Sequence, residues 1–167
     1  MRMEQRLEIL PSKEQIQAFP VFKNLPMQQI QVINRLEQCH ALEQELKSHA
    51  VLGFDSESKP TFKVGEVSTG PHLIQLATLD KAYLFQMSPA IWTFLTPIFA
   101  SREQIKVGFG LKNDAPLFRK KGIELNSVIE LSKCFKAFGL NNPVGLKNAM
   151  ALLFQVNFPK SKRISTS

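Results

Sequence analysis

Two carboxylates, Asp55 and Glu57, stand two residues apart at the end of an apolar run that begins at Val51. In an extended strand, residues i and i+2 project from one face, so this pair would lie side by side with an apolar strand behind it. Like charges held that way repel each other. A hard divalent cation with oxygen ligands, Mg²⁺ or Mn²⁺, removes the repulsion, and a strand supplies the rigidity such a site needs. The same D-S-E-S run also fits a polar turn leaving a sheet. Asp114 lies between Gly110-Leu111-Lys112-Asn113 and Ala115-Pro116. There it suits a helix N-cap, worth about 1 kcal/mol. Cap and ligand are compatible roles, because sites in open sheets form where helix starts meet strand ends. The chain holds three aspartates, Asp55, Asp80 and Asp114, and two of them end apolar strand-like runs. That coincidence raises the metal-site reading above what either motif supports alone.

The elements that would position these residues follow from periodicity and punctuation. Residues Pro11 to Phe22 read as an irregular arm or short helix, and Val32-Ile33 sits in a first strand, IQVIN. HALEQELKSH has helical composition, with Leu42 and Leu46 on one face. AVLGFDSES (Ala50 to Ser58), HLIQLATLD (His72 to Asp80) and KAYLFQM (Lys81 to Met87) read as strands. The tight turn near Asp80-Lys81 predicts an antiparallel hairpin between the last two. PAIWTFLTPIFAS predicts a helix starting at Pro89, which Pro97 should bend or end. IKVGFG (Ile105 to Gly110) is a further strand, followed by a helix from about Asp114 to Lys121. Arg119, Lys120 and Lys121 in its last turn and Gly122 as a left-handed cap are its stop signals. SVIELS (Ser127 to Ser132) reads as the final strand and VGLKNAMALLFQ (Val144 to Gln155) as an amphipathic helix. Hairpin-linked strands followed by β-α-β crossovers make an α/β fold, a mixed five-stranded (or six-stranded) sheet flanked by helices, compatible with a ribonuclease-H-like architecture.

Composition narrows the class of protein. Hydrophobic residues make up 44% and charged residues 21% of 167, which suits one globular domain and not a disordered chain. No apolar run reaches the roughly 18 residues that span a bilayer, and the start MRMEQRLEIL lacks the apolar stretch of a signal peptide. A soluble, cytoplasmic protein without membrane partners is expected. Cys39 and Cys134 form no C-x-x-C pair, and only His40, His49 and His72 could join them, so both read as small core residues in a reducing compartment. The net charge of +7 favours a polyanionic partner, although part of it sits in the tail Lys160 to Arg163.

Taken together, VLGFDSES, LIQLATLDKAYLF, KVGFGLKND and GLKNAMALLF resemble the 3′–5′ exonuclease domain of Werner-type and ribonuclease-D-like proteins, the group named for its four acidic residues D-E-D-D. The resemblance runs from about Val51 to the C-terminus. Asp55 and Glu57 match the paired carboxylates of the family's first motif, and Asp114 matches the acidic residue of its second. It implies that Asp55 bridges two ions of Mg²⁺ or Mn²⁺, that Glu57 binds the one that activates water, and that Asp114 supports the other. Gln75 matches a recurrent polar residue lining the site. The implied reaction is hydrolysis of the terminal phosphodiester at a single-stranded 3′ end of DNA or RNA, with two ions about 4 Å apart. Basic residues would hold the backbone and exposed apolar side chains would stack the terminal base; Lys59, Lys63 and Lys112 lie near the motifs, where surface solubility accounts for each of them more simply. Residues 1–30 read as an N-terminal arm and 31–167 as the exonuclease-like domain, incomplete at its C-terminal end.

The family's third motif, Tyr-x-x-x-Asp or His-x-x-x-x-Asp, is missing. Tyr83 precedes Met87 at the required spacing, and His40, His49 and His72 precede Glu45, Phe54 and Ala77 by five positions. No aspartate follows Asp114, while Glu124 and Glu130 lie before the last helix. A shortened chain, a truncated gene product and a degenerate relative all account for this, and each leaves the 167 residues alone inactive or impaired. Two other readings stand beside the enzyme. One is a catalytically degenerate nucleic-acid-binding module of the same fold. The other is an ordinary α/β protein with Asp55 in a turn and Asp114 as a cap.

Overall fold

The computed structural model describes residues 9–159, so the basic tail from Lys160 and the first eight residues lie outside the described part. In chain order the elements are α1 (Lys13–Ala18), β1 (Ile30–Ile33), α2 (Leu36–Ser48), β2 (Val51–Glu57), β3 (Leu73–Ala77), β4 (Ala82–Gln86), α3 (Pro89–Ala100), β5 (Ile105–Gly108), α4 (Asp114–Lys120), β6 (Val128–Glu130) and α5 (Leu146–Phe154). Short 3₁₀ helices occupy Met27–Gln29, Leu111–Asn113 and Leu131–Phe138. The chain divides into two compact units: Leu25–Glu130, and the described parts of Met1–Asn24 with Leu131–Ser167.

The Leu25–Glu130 unit is built on a six-stranded sheet in the order β1-β4-β3-β2-β5-β6. β2 with β3 and β3 with β4 are antiparallel, whereas β1 with β4, β2 with β5 and β5 with β6 are parallel. This is the expected mixed α/β sheet. The hairpin closes as its sequence suggested, with the Thr78 amide donating to the Lys81 carbonyl at 2.9 Å. Alternation along the strands sends Leu52 and Phe54, Ile74 and Leu76, and Tyr83 and Phe85 to one buried face. α2 meets that core with Cys39, Leu42 and Leu46, spaced three and four apart so that they share one helical side. Each fully buried aliphatic or aromatic side chain there contributes about 1.5–3 kcal/mol of burial free energy.

α3 starts as predicted, with Ser88 capping the Ile91 amide and Pro89 in the first turn. It does not stop at Pro97 but continues to Ala100. Proline removes one amide donor, yet Ile98 and Phe99 just beyond it are buried in the core, which holds the last turn in place. The fully buried Lys106 also secures that turn, its ammonium donating to the carbonyls of Ile98 at 2.9 Å, Ser101 at 2.9 Å and Gln104 at 2.7 Å. α4 ends with Gly122 in the left-handed region at φ 70°, the expected stop.

In the other unit, Ser12 and Gln15 form a reciprocal capping box at the start of α1. Val21 bridges to Asn157, and the Phe22 and Phe158 rings lie 5.4 Å apart. Cys39 is buried, as expected, but Cys134 is exposed. It lies in the 3₁₀ helix whose inward side is taken by the neighbouring Phe135, leaving Cys134 facing solvent. No helix among the described residues is long and apolar enough to cross a membrane.

Candidate active site

β2 is longer than its parallel neighbour. β5 pairs only with Val51, Leu52 and Gly53, whereas β3 stays paired as far as Glu57. The last residues of β2 therefore run past the end of β5. After β5 the chain must turn sharply back, and Gly108 allows it: a Cβ there would stand 2.5 Å from the Phe54 carbonyl oxygen and 2.6 Å from Leu111 Cδ1. Gly110 then takes a left-handed conformation, φ 76°, at the start of the 3₁₀ turn that leads into α4. Asp114 is the first residue of α4 and is 7% exposed. The N-cap expected at Asp114 falls one residue earlier, on Asn113, which makes no side-chain cap bond. The Asp114 carboxylate instead accepts a hydrogen bond from the Ser56 hydroxyl.

That bond carries Asp114 to the strand of the paired carboxylates. Asp55 and Glu57 share the exposed face of β2, while Ser56 between them turns toward the helix-covered face with Leu52 and Phe54. Gln75 stands directly opposite Asp55 in the β2–β3 register, so it shares the face of Asp55. The protein packed around Asp55 pushes its carboxyl above the usual carboxylate range. The Ser56 amide, 2.9 Å from Asp55 Oδ1, opposes that push, and the charges of Glu57 and Asp114 add to it. Burial likewise raises Asp114, against the stabilising Ser56 hydroxyl and its own amide, with the Glu130 charge reinforcing the rise.

The three sequence candidates thus act on one another electrostatically, but they do not form a closed cage. Among the described residues no three His, Cys, Asp or Glu side chains are grouped so as to hold a metal ion. Strand alternation accounts for this: Asp114 approaches β2 on the side of Ser56, not on the side of Asp55 and Glu57. Ser56 and Glu130 were not singled out from the sequence. Alternation alone could have placed Ser56 on the helix side, whereas the position of Glu130 depends on the pairing of β5 with β6.

Basic and apolar residues close in sequence to the carboxylates are exposed. Lys59, Lys63 and Lys112 are exposed, and Phe62, 87% exposed, lies in the loop that follows β2. A cleft of about 250 Å³ is lined by Ser68, Thr69, Gly70, Leu117, Lys120 and Lys121.

The profile of the 3′–5′ exonuclease family matches residues 30–167. The chain is 32% identical over 98 residues to the exonuclease mut-7 homolog of Aedes aegypti, a match covering 54% of this chain and 13% of that protein. Among solved structures, the Aedes aegypti Nibbler EXO domain superposes with a TM-score of 0.70 at 21% identity, covering 86% of this chain and 76% of that one. Trypanosoma brucei RNase D in complex with RNA U12 gives 0.67 at 17% identity, covering 86% and 50%. At those identities the structural matches establish the fold. The profile, which spans most of the chain, establishes more: this chain belongs to the 3′–5′ exonuclease family. The D-E-D-D resemblance read from its segments is therefore correct.

Proposed function

We propose that this chain forms the core of an enzyme that hydrolyses the terminal phosphodiester at the 3′ end of single-stranded DNA or RNA, using Mg²⁺ or Mn²⁺ held by Asp55, Glu57 and Asp114. The observation that carries this reading is the Ser56–Asp114 hydrogen bond, which anchors the second-motif carboxylate on the strand that bears the first-motif pair. The donor set fits the ions, since carboxylate and hydroxyl oxygens are what hard divalent cations take. Two such ions, when bound, activate a water for attack and stabilise the leaving 3′ oxygen.

The chain's own residues divide the remaining work. Asp55, beside the charges of both Glu57 and Asp114, is the carboxylate suited to be shared between two cations. Glu57 would help hold an ion beside Asp55, and Asp114, whose carboxylate accepts from the Ser56 hydroxyl, would support a second. Gln75 lines the approach beside Asp55. The lysine- and hydroxyl-lined cleft at Lys120 and Lys121 suits backbone phosphates, and Phe62 offers a face for stacking a base. Nucleic acid as the partner is also supported by the RNA in the Trypanosoma brucei RNase D complex. The family profile starts at residue 30, which supports reading 31–167 as the domain and 1–30 as an arm. The buried Cys39 thiol suits a reducing compartment such as the cytoplasm.

The test is release of nucleotides from a 5′-labelled single strand of RNA or DNA in Mg²⁺ or Mn²⁺. It is run on the 167-residue chain and on a protein in which a Tyr-x-x-x-Asp helix follows it. Release by the longer protein that stops with EDTA and with Asp55→Ala supports the proposal. A folded longer protein that releases nothing with either metal contradicts it.

The +7 charge, together with the lack of a closed metal cage among the described residues, favours one alternative, a module that binds nucleic acid without cutting it. That module would bind a single strand with steep salt dependence and indifference to EDTA. Loss of binding on metal removal rejects it.

A further inference from the structure

We infer that Glu130 is a positioning residue for the site, holding Asp114 in place by fixing the turn that delivers it. Glu130 ends β6, in register with Gly108 at the end of β5. Its two carboxylate oxygens take separate backbone donors: Oε1 accepts from the Gly110 amide at 2.9 Å and Oε2 from the Leu111 amide at 2.6 Å. These are the first donors of the 3₁₀ turn Leu111–Asn113, which runs directly into Asp114. A carboxylate at such a start satisfies amides that the turn itself leaves unbonded and complements their partial positive charge.

The consequence reaches the candidate site through a short chain of contacts. Glu130 fixes Gly110 and Leu111, the 3₁₀ turn fixes Asp114, and Asp114 meets Ser56 between Asp55 and Glu57. The same geometry argues against Glu130 as a substitute for the missing fourth carboxylate, because each of its oxygens already serves an amide. Gly108 makes the arrangement sensitive. The Phe54 carbonyl and the Leu111 side chain fill the space that a Cβ at Gly108 would take, so the turn has little room to find another path if its anchor is removed.

This inference rests on the metal-site reading of Asp114, and two measurements separate its failure from the failure of that reading. Hydrogen exchange on the metal-free chain compares wild type with Glu130→Ala and Glu130→Gln. Glu130→Ala should lose amide protection at Gly110 and Leu111 while Leu52 and Val107 stay protected; Glu130→Gln, which keeps one acceptor, should lose less. Unchanged protection at Gly110 and Leu111 overturns the inference, and so does equal loss across β2 and β5, which marks general destabilisation. Mn²⁺ titration is the second measurement. Glu130→Ala should weaken binding about 10–100-fold, the usual cost of losing a residue that orients a ligand, with partial recovery in Glu130→Gln. Unchanged affinity in Glu130→Ala overturns the inference. If wild type itself binds no Mn²⁺, the metal reading falls, and the exchange data alone decide whether Glu130 positions Asp114.

Discussion

The Ser56 hydroxyl donates to the Asp114 carboxylate, joining the middle of the D-S-E-S strand to the first turn of α4. Asp114 is almost fully buried, so this bond meets part of the need of a charge removed from water. Because Ser56 turns away from Asp55 and Glu57, it ties the helix to the strand without occupying their face.

Removing that hydroxyl should be costly. Ser56→Ala is expected to destabilise the fold by about 1.5–3 kcal/mol, the range for a hydrogen bond to a charged group. Urea unfolding with an unchanged m-value would measure it. A change below about 0.5 kcal/mol, the level of an ordinary surface substitution, would show that the bond contributes little.

The raised carboxyls give stability a definite pH dependence. Asp55 and Asp114 are both pushed up, mainly by burial. A carboxyl of raised pKa holds its proton more tightly in the folded chain than in the unfolded one. Its contribution is therefore greatest below the ordinary aspartate pKa and falls as pH climbs through the raised value. The metal-free protein should lose stability across that acid window, and Asp55→Asn should flatten the loss and be the more stable protein at neutral pH. Urea midpoints in EDTA at a series of pH values test this; identical curves for wild type and Asp55→Asn would contradict it.

Metal should reverse that penalty. A ligand at 100 times its Kd stabilises the state it binds by about 2.7 kcal/mol, which raises Tm by about 5–10 °C in a domain of this size. Thermal unfolding with Mn²⁺ should show such a rise in wild type and none in Asp55→Ala. Equal rises in both would place the ion elsewhere.

The helix that carries Asp114 depends on its aromatic packing. Phe118 on α4 is fully buried, with ring centroids 4.8 Å from Phe99, 5.5 Å from Trp92 and 5.7 Å from Phe54. Phe118→Ala should cost about 3–5 kcal/mol and weaken Mn²⁺ binding as α4 loosens. Chemical denaturation and metal titration of the same variant check both effects; a stable variant with weakened binding would separate packing from placement.

Much of the fold was legible because it rests on local signals. Short strand-like runs marked β2, β3 and β4, the Asp80-Lys81 turn marked the hairpin, and Gly122 marked the end of α4. Asp114 was legible at the start of its helix, as a cap and a candidate ligand, but its partner was not, because sequence spacing does not reveal that Ser56 would meet it from β2. Glu130 was harder still. Its role comes from the parallel β5–β6 register, a pairing between segments joined by a helix and written in neither of them. Cys134 misled for a related reason, since the turn containing Phe135 leaves it outside, and burial of Ile98 and Phe99 carries α3 past Pro97 rather than ending it there.

The most direct measurement is a crystal structure grown with Mn²⁺, with the ions located by anomalous scattering. Density lying about 2.0–2.3 Å from oxygens of Asp55 and Glu57, with Asp114 linked to it directly or through one water, is the predicted result. Carboxylates of Asp55, Glu57 and Asp114 that remain apart at saturating Mn²⁺, with no anomalous peak beside β2, would contradict it.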